Sequence, residues 1–414
     1  MTVGARTTAP ETQPVPRSAL RAPRSSEPDY WLLVTILALV VFGTVMIFSA
    51  SFTINLPEGG AAYAYLQKQL FFVLLGGIGF AVTASVDYHV WQRCSVAALA
   101  GAVLLLVAVL ILPGAGVTAW GAKRWLDLGP LPQFQPSELA KLALVLYMAD
   151  WLATRGPRLR SWATGVLPFA LILGSLIFLV MLEPDLGTSS LLAIIGITMF
   201  LVAGADLRQF LLFVASGAAA FVVLALAAPY RRDRLLLFLK SEEELRTMGD
   251  GWQLIQAQLA IGSGGIFGLG LGASRQKYAW LPAAHTDAIF AVIGEELGLI
   301  GCACVLALFF LLALRGYRAA YRAADGFGVL LATGIVSWII FQALINIGGI
   351  TRTIPFTGVP LPFISYGGTS LVVDLTALGI LVNVSRQRVR ARSAERGARN
   401  REGATGSSGD ERGG

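Results

Sequence analysis

The sequence predicts an all-α polytopic membrane protein of about ten transmembrane helices, with both termini cytoplasmic and one large extracytoplasmic loop between spans seven and eight. Three observations predict it. Of the 414 residues, 55% are hydrophobic and only 14% charged. Apolar runs of about 20 residues recur along the chain. Arginines gather in connections that fall on one side of those runs. A mean hydropathy of +0.68 excludes a soluble globular protein.

Residues 1–29 are rich in Pro, Ser, Thr and Arg without apolar periodicity, the composition of a disordered basic cytoplasmic tail. The apolar run from Trp31 is too long for the core of a signal peptide and lacks a cleavage site, so it reads as the first span. A window of ~19 residues places apolar segments near 31–51, 66–86, 94–113, 137–154, 164–182, 187–204, 208–229, 288–314, 327–350 and 363–385. Glu183-Pro184-Asp185 divides what would otherwise be one long run and reads as a tight hairpin. Residues 30–385 therefore read as a single ten-helix membrane domain that includes the extracytoplasmic loop 230–287, and 386–414 as a disordered Arg-rich cytoplasmic tail.

Arg6, Arg17, Arg21 and Arg24 precede the first span, Arg155, Arg158 and Arg160 follow the fourth, and Arg315, Arg318 and Arg322 follow the eighth. Together with the tail arginines they mark one face as cytoplasmic, so the formal charge of +7 is mostly a topology signal. Such a tail suits membrane lipids as a partner; with no aromatic platform or recognition fold, nucleic acid is not expected. Cys94, Cys302 and Cys304 match no zinc or disulfide spacing and read as packing residues.

The stretch Gly251 to Gly301 carries the chemistry. It holds an amphipathic segment, a glycine-rich region, Arg275 and Lys277, then His285-Thr286-Asp287 at the mouth of a long apolar helix. A carboxylate at a membrane boundary is a functional candidate, because holding it there is costly. Lys123 and Arg124, in the loop Gly121 to Trp125, lie on the side where basic residues are scarce. They read either as an anion site or as a snorkelling pair that anchors a helix end. Glu138 and Lys141 are three apart on a helix and can pair, to fix packing or to touch a ligand; Asp150 lies three turns further on. Positions 287, 291, 294, 295 and 298 share one face of a helix, which sets Gly294 and Gly298 against a neighbour.

Glycines 262 to 272 match neither a P-loop nor a dinucleotide fingerprint and read as loop flexibility. The chain has two histidines, and His89 falls on the opposite side from His285, so a protein-caged zinc is not expected. A divalent cation, Mg or Mn, held jointly by a carboxylate and substrate phosphates stays open as a cofactor.

The motifs GAKRW, QPSELAK, EPDLGT, GLGLGASRQKYAWLPAAHTDAIFAVIGEELG and PLPFISYGGTSL occur in that order between about Trp31 and Val384. In this the chain resembles the SEDS family of bacterial cell-wall polymerases, which includes FtsW and RodA. The SRQK run at 274–277 and the extended tails are more similar to the division branch than to the elongation branch. The resemblance implies a ten-helix fold and a peptidoglycan glycosyltransferase that polymerises lipid II. It implies a class B penicillin-binding protein as crosslinking partner, other division or elongation proteins as associates, and Asp287 as the essential residue. Ala283 and Ala288 depart from the commoner family pattern near the site.

The residues suit that chemistry. A carboxylate within reach of a sugar hydroxyl is a suitable general base for attack on an anomeric carbon, and Asp287 is the candidate. A polyprenyl pyrophosphate leaving group needs cations in place, for which Lys123, Arg124, Arg275, Lys277 and Arg352 are the supply, with His285 and Ser365 as further substrate contacts. Glu138, Lys141, Glu183 and Asp185 form the supporting polar network. One displacement with one base inverts the anomeric centre. Loop 230–287, amphipathic from Trp252 to Ile261, reads as a lid that excludes water. A second reading is a flippase that carries lipid II across the bilayer, kept open by Glu138, Lys141 and Asp150. A third, a division scaffold, would leave Asp287 replaceable.

Overall fold

The computed structural model describes residues 28–52, 63–111, 116–119, 122–126, 133–227, 232, 237–238, 240–246, 249–278 and 280–387. Most of both predicted tails lies outside these residues. The helices are α1 (Tyr30–Ser51), α2 (Ala64–Ser85), α3 (Tyr88–Arg93), α4 (Ser95–Ile111), α5 (Pro136–Ala153), α6 (Leu167–Leu182), α7 (Leu186–Val202), α8 (Leu207–Ala227), α9 (Glu242–Arg246), α10 (Gly249–Gly264), α11 (Ile289–Tyr321), α12 (Gly326–Ile350) and α13 (Gly368–Arg386). A two-stranded antiparallel hairpin, β1 (Gly116–Ala119) and β2 (Ala122–Leu126), sits between α4 and α5.

Among the described residues seven helices are long and apolar enough to cross a membrane: α1, α2, α6 with its preceding turn, α8, α11, α12 and α13. Helices α4 and α7 are apolar but shorter, at 17 residues each. Helix α5 has 18 residues and carries Glu138, Lys141 and Asp150. The chain is therefore a helical, multi-pass membrane protein, as its composition requires. Local chemistry sets the ends. Asp29, Asp185 and Asp325 cap α1, α7 and α12 by accepting from the backbone N–H of Leu32, Thr188 and Gly328. Pro136 opens α5, where its missing N–H has no intrahelical partner to lose.

Small residues let the helices touch. Helices α2 and α13 run parallel, with Gly76 against Leu375 and Val372, Gly79 against Thr376, and Gly379 against Phe80 and Thr83. Helices α5, α11, α12 and α13 contribute more buried apolar side chains than any of the others. Helix α8 is the opposite case: among its residues only Gln209 and Ala225 are buried, so its Leu and Val side chains face hydrocarbon all round.

The observed boundaries correct three expectations. The tenth helix starts at Gly368 and not at 363, because Phe363, at φ 64°, belongs to the preceding loop. Helix α11 continues to Tyr321, past the expected end at 314. Asp287 lies before α11, and Gly298 within it is not helical (φ 65°, ψ −160°), so positions 287 to 298 do not form one continuous helical face.

The break at Gly298 leaves backbone groups that must be paired. The carbonyls of Glu295 and Glu296 accept from the N–H of Leu269 (2.9 Å) and Gly270 (3.0 Å), while the N–H of Leu299 donates to Gly265 (2.9 Å) and that of Ile300 to Ile266 (3.2 Å). The segment 264–270 is thus inlaid in the gap. A Cβ on Gly264 would collide with the Gly294 carbonyl, and one on Gly268 with the Glu296 carbonyl. These glycines serve close backbone approach, which corrects their reading as loop flexibility. Helix α10 likewise packs on α11, burying Ala257 and Ala260, while Leu254 and Ile255 close a small separate cluster with Leu237, Leu245 and Phe356. The Trp252 indole donates to the Trp280 carbonyl at 3.0 Å, so this amphipathic stretch is docked and is not a detached lid.

Candidate functional site

The triplet His285-Thr286-Asp287 is fixed by its main chain. Ala283, at φ 53°, opens a turn whose carbonyl accepts from the N–H of Thr286 (3.0 Å) and Ala288 (3.2 Å). Each carbonyl of the triplet is then caught from another element. That of His285 accepts from the Tyr366 N–H at 2.9 Å. That of Thr286 accepts from the Ser365 hydroxyl at 2.7 Å, and that of Asp287 from Asn346 Nδ2 at 2.8 Å. Ser365 Oγ also accepts from the Leu361 N–H at 2.8 Å. Its hydroxyl is therefore committed inside the fold, which replaces its expected role as a substrate contact with a positioning one. Asn346, on α12 and buried, was not singled out from the sequence; the signal was a polar amide within an apolar span.

Asp287 and His285 remain partly exposed. The His285 ring packs against Tyr65 at a centroid distance of 4.8 Å and against Tyr366 at 5.7 Å. Burial holds the His285 pKa down at about 4, so its imidazole is neutral near pH 7. The Tyr366 phenol is pushed up, by burial and then by Tyr65. The carboxylate two residues on, at Asp287, is of a type that can accept a proton.

Lys277 is not the free cation expected of it. It is 4% exposed, and its ammonium donates to Glu296 at 2.9 Å and to the Gly272 carbonyl at 2.7 Å. Glu296 also accepts from the Ser49 hydroxyl of α1 at 2.6 Å. Its neighbour Glu295 accepts from the Ser274 hydroxyl at 2.5 Å and from the Arg275 N–H at 2.9 Å. Two carboxylates buried in one helix turn are tolerated because each is hydrogen-bonded. They lock the SRQK run to α11, a role the sequence reading did not give them. The Arg275 side chain stays exposed.

Two other expected cations hold loops. The Arg124 guanidinium, from β2, donates to the carbonyls of Glu183 (3.1 Å) and Pro184 (2.6 Å), closing the α6–α7 hairpin. The Arg352 guanidinium donates to the carbonyls of Leu237, Phe238 and Lys240. Lys123 is exposed. Asp185 is the α7 cap, with both oxygens engaged by Thr188. Glu183 is fully buried, and neither carboxyl oxygen has a hydrogen-bond partner among the described residues. Desolvation, then Asp185, raises its pKa to about 8 against the opposing pull of Arg124, so it is mostly neutral at pH 7.

Glu138 and Lys141 pair at 2.7 Å, and the same ammonium donates to Gln342 at 2.8 Å and lies over the Trp338 ring. Fully buried Asp374 on α13 lies close enough to feel both charges. It was missed, although an acid inside an apolar span is the same signal that found Glu138. Asp150 is remote from this group, accepting from Gln92 (2.8 Å) and Ser95 (3.0 Å) at the other end of α5. Among the described residues no three of His, Cys, Asp and Glu gather as metal ligands.

Comparison with known proteins agrees with the motifs. A family profile described as "Cell cycle protein", spanning FtsW, RodA and SpoVE, matches residues 30–390. The "Probable peptidoglycan glycosyltransferase FtsW" of Trichlorobacter lovleyi is 42% identical over 88% of this chain and 95% of its own. "Stage V sporulation protein E" of Bacillus subtilis is 40% identical over 88% of this chain and 98% of its own. A chain from a solved structure described as "Structural coordination of polymerization and crosslinking by a peptidoglycan synthase complex" superposes with TM-score 0.70 at 28% identity, covering 88% of this chain and 99% of that one. The rod shape determining protein RodA of Thermus thermophilus does so with TM-score 0.65 at 29% identity, covering 88% and 98%. With its clamped HTD triplet, its inlaid glycine segment and a profile match across nearly all of its helices, the chain belongs to the FtsW/RodA/SpoVE family, the SEDS proteins.

Proposed function

We propose that this protein is a peptidoglycan glycosyltransferase that polymerises lipid II into glycan strands during cell division, with Asp287 as general base. The observation that carries the reading is the triple clamp, which fixes a partly exposed carboxylate at the helix-bundle end where α5, α7, α11 and α13 begin. Relatives named peptidoglycan glycosyltransferase FtsW, about 40% identical, support the activity and the division role.

In this reading about ten helices span the cytoplasmic membrane, both termini are cytoplasmic, and the Asp287 end faces outward. The arginine-rich turns lie at the opposite end, which supports that orientation. Asp287 takes the proton from the attacking sugar hydroxyl as its oxygen bonds to the anomeric carbon of the donor. The bond to the polyprenyl pyrophosphate breaks on the other side, and an α-linked donor gives a β-linked product. Arg275, Lys123 and the outer edge of Arg124 supply positive charge for the pyrophosphate. The kinship to a peptidoglycan synthase complex supports a class B penicillin-binding protein as partner.

The test is polymerisation of purified lipid II by the reconstituted protein with a cognate transpeptidase. Asp287→Ala and Asp287→Asn are expected to make no polymer while remaining folded and partner-bound. Wild-type rates from either variant, or lipid II crossing the bilayer without polymer from the native protein, would overturn the reading.

A further inference from the structure

At the end of the bundle opposite Asp287, α1 and α11 part to leave a cavity of about 240 Å³. Tyr30 and Trp31, in the first turn of α1, line one wall. Arg315, Arg318 and Arg322 line the other, at spacings that set them on one side of the α11 terminus. Asp29 is the one acid in the lining and pairs with Arg315 at 3.2 Å, so the cavity keeps an excess of positive charge.

Arginines that only report topology reach outward into water and need no cavity. Here Arg315 is mostly buried, and its Nε is an enclosed donor with no acceptor among the described residues. Arg318 and Arg322 are exposed at the cavity mouth. Tyr30 is 63% and Trp31 62% exposed, the amphipathic aromatics that settle at headgroup depth. Guanidinium groups bind phosphate oxygens in paired, planar geometry, and three of them exceed what one carboxylate satisfies.

Apolar stripes lead away from the cavity on both helices. On α1, exposed Val34, Leu37 and Val41 continue the side that carries Trp31; on α11, exposed Leu314 and Phe310 continue the side that carries Arg318. A ligand with a phosphate head and hydrocarbon tails matches both parts at once. We propose that this cleft is a binding site for an anionic phospholipid, its phosphodiester held by Arg315, Arg318 and Arg322 and its acyl chains lying along α1 and α11. Only the choice of the cytoplasmic leaflet rests on the topology proposed above; the chemistry of the cleft does not. The same two helices are tied at their other ends by the Ser49–Glu296 hydrogen bond and at this end by the Asp29–Arg315 pair, which leaves Arg318 and Arg322 for the lipid to engage.

The experiment is native mass spectrometry of the full-length protein in neutral detergent, titrated with phosphatidylglycerol or phosphatidylcholine. Phosphatidylglycerol is expected to bind at least about tenfold more tightly than phosphatidylcholine, and Arg318→Gln/Arg322→Gln to lose about tenfold or more of that affinity. Both residues are exposed, so the fold is kept. Arg155→Gln/Arg158→Gln, on the same side but away from the cleft, is expected to bind as the wild type does. Millimolar inorganic phosphate is expected not to displace the lipid. Equal binding of the two lipids, equal loss in both double variants, or displacement by inorganic phosphate would overturn the proposal. None of these results bears on polymerisation, which the Asp287 variants test separately.

Discussion

Asn346 holds Asp287 by its carbonyl. The two hydrogens of its amide nitrogen go to the carbonyls of Asp287 and Val359, at 2.8 Å each, which also fixes which way the amide points, since its oxygen would be repelled there. Asn346→Ala is expected to lower kcat for lipid II polymerisation by about 100-fold, because small misplacements of a reacting group are that costly. KM is expected to stay within about twofold, and the Asp287→Ala/Asn346→Ala double variant to be no worse than Asp287→Ala alone. A folding defect would also lower the apparent kcat at constant KM, so the rate is normalised to the folded, partner-bound enzyme recovered by size-exclusion chromatography. A normalised kcat equal to that of the wild type would count against positioning, as would a KM that rises in step with the fall in kcat.

The Lys277–Glu296 pair is structural. Removing one partner leaves a buried charge, so Lys277→Met is expected to destabilise by about 3–5 kcal/mol. Replacing both, as Lys277→Met/Glu296→Leu, should recover part of that loss. Thermal unfolding in one detergent measures both, and a Lys277→Met protein as stable as wild type would refute the assignment.

Glu183 predicts a pH dependence. Its folded pKa of about 8 lies above its ordinary value of 4.5, so the folded state keeps a proton that the unfolded state releases. Its contribution to stability is full below pH 4.5 and is lost as pH rises to about 8. Glu183→Gln keeps the neutral shape, so it should melt several degrees above wild type at pH 8 and alongside it at pH 5. Parallel melting curves at the two pH values would show that burial does not govern this carboxyl.

At Gly298 both conformation and space exclude a side chain. Its φ is 65°, and a Cβ would press on the Ile266 carbonyl and the Gly268 N–H. Gly298→Ala is expected to cost about 1–3 kcal/mol in backbone strain alone, more with the clash. A melting temperature unchanged by the substitution would contradict the inlaid arrangement.

Much of this was legible in the sequence. The apolar runs gave the helices because hydrocarbon imposes a length and a polarity, and the proline and aspartates at helix starts explain why the α6–α7 turn was found at Glu183-Pro184-Asp185. Asp287 was legible because a carboxylate at a membrane boundary stands out. The roles of the cations were not. Lys277, Arg124 and Arg352 looked alike as isolated basic residues, and only three-dimensional neighbours separate a guanidinium that holds a carbonyl from one that faces a ligand. Glu295, Glu296 and the glycines of 264–268 were visible one by one, but their meeting depends on a helix break that periodicity does not record.

The clamp on the triplet also orders events in time. Thr286 and its holder Ser365 are 79 residues apart in the chain. At roughly 5–20 residues per second of synthesis, the second half of the clamp emerges about 4–16 s after the first. Until the last helix enters the bilayer, the HTD turn lacks two of its three anchors. A nascent chain is therefore predicted to insert as an inert protein and to become competent only when complete, which keeps an unfinished polymerase from acting on its substrate.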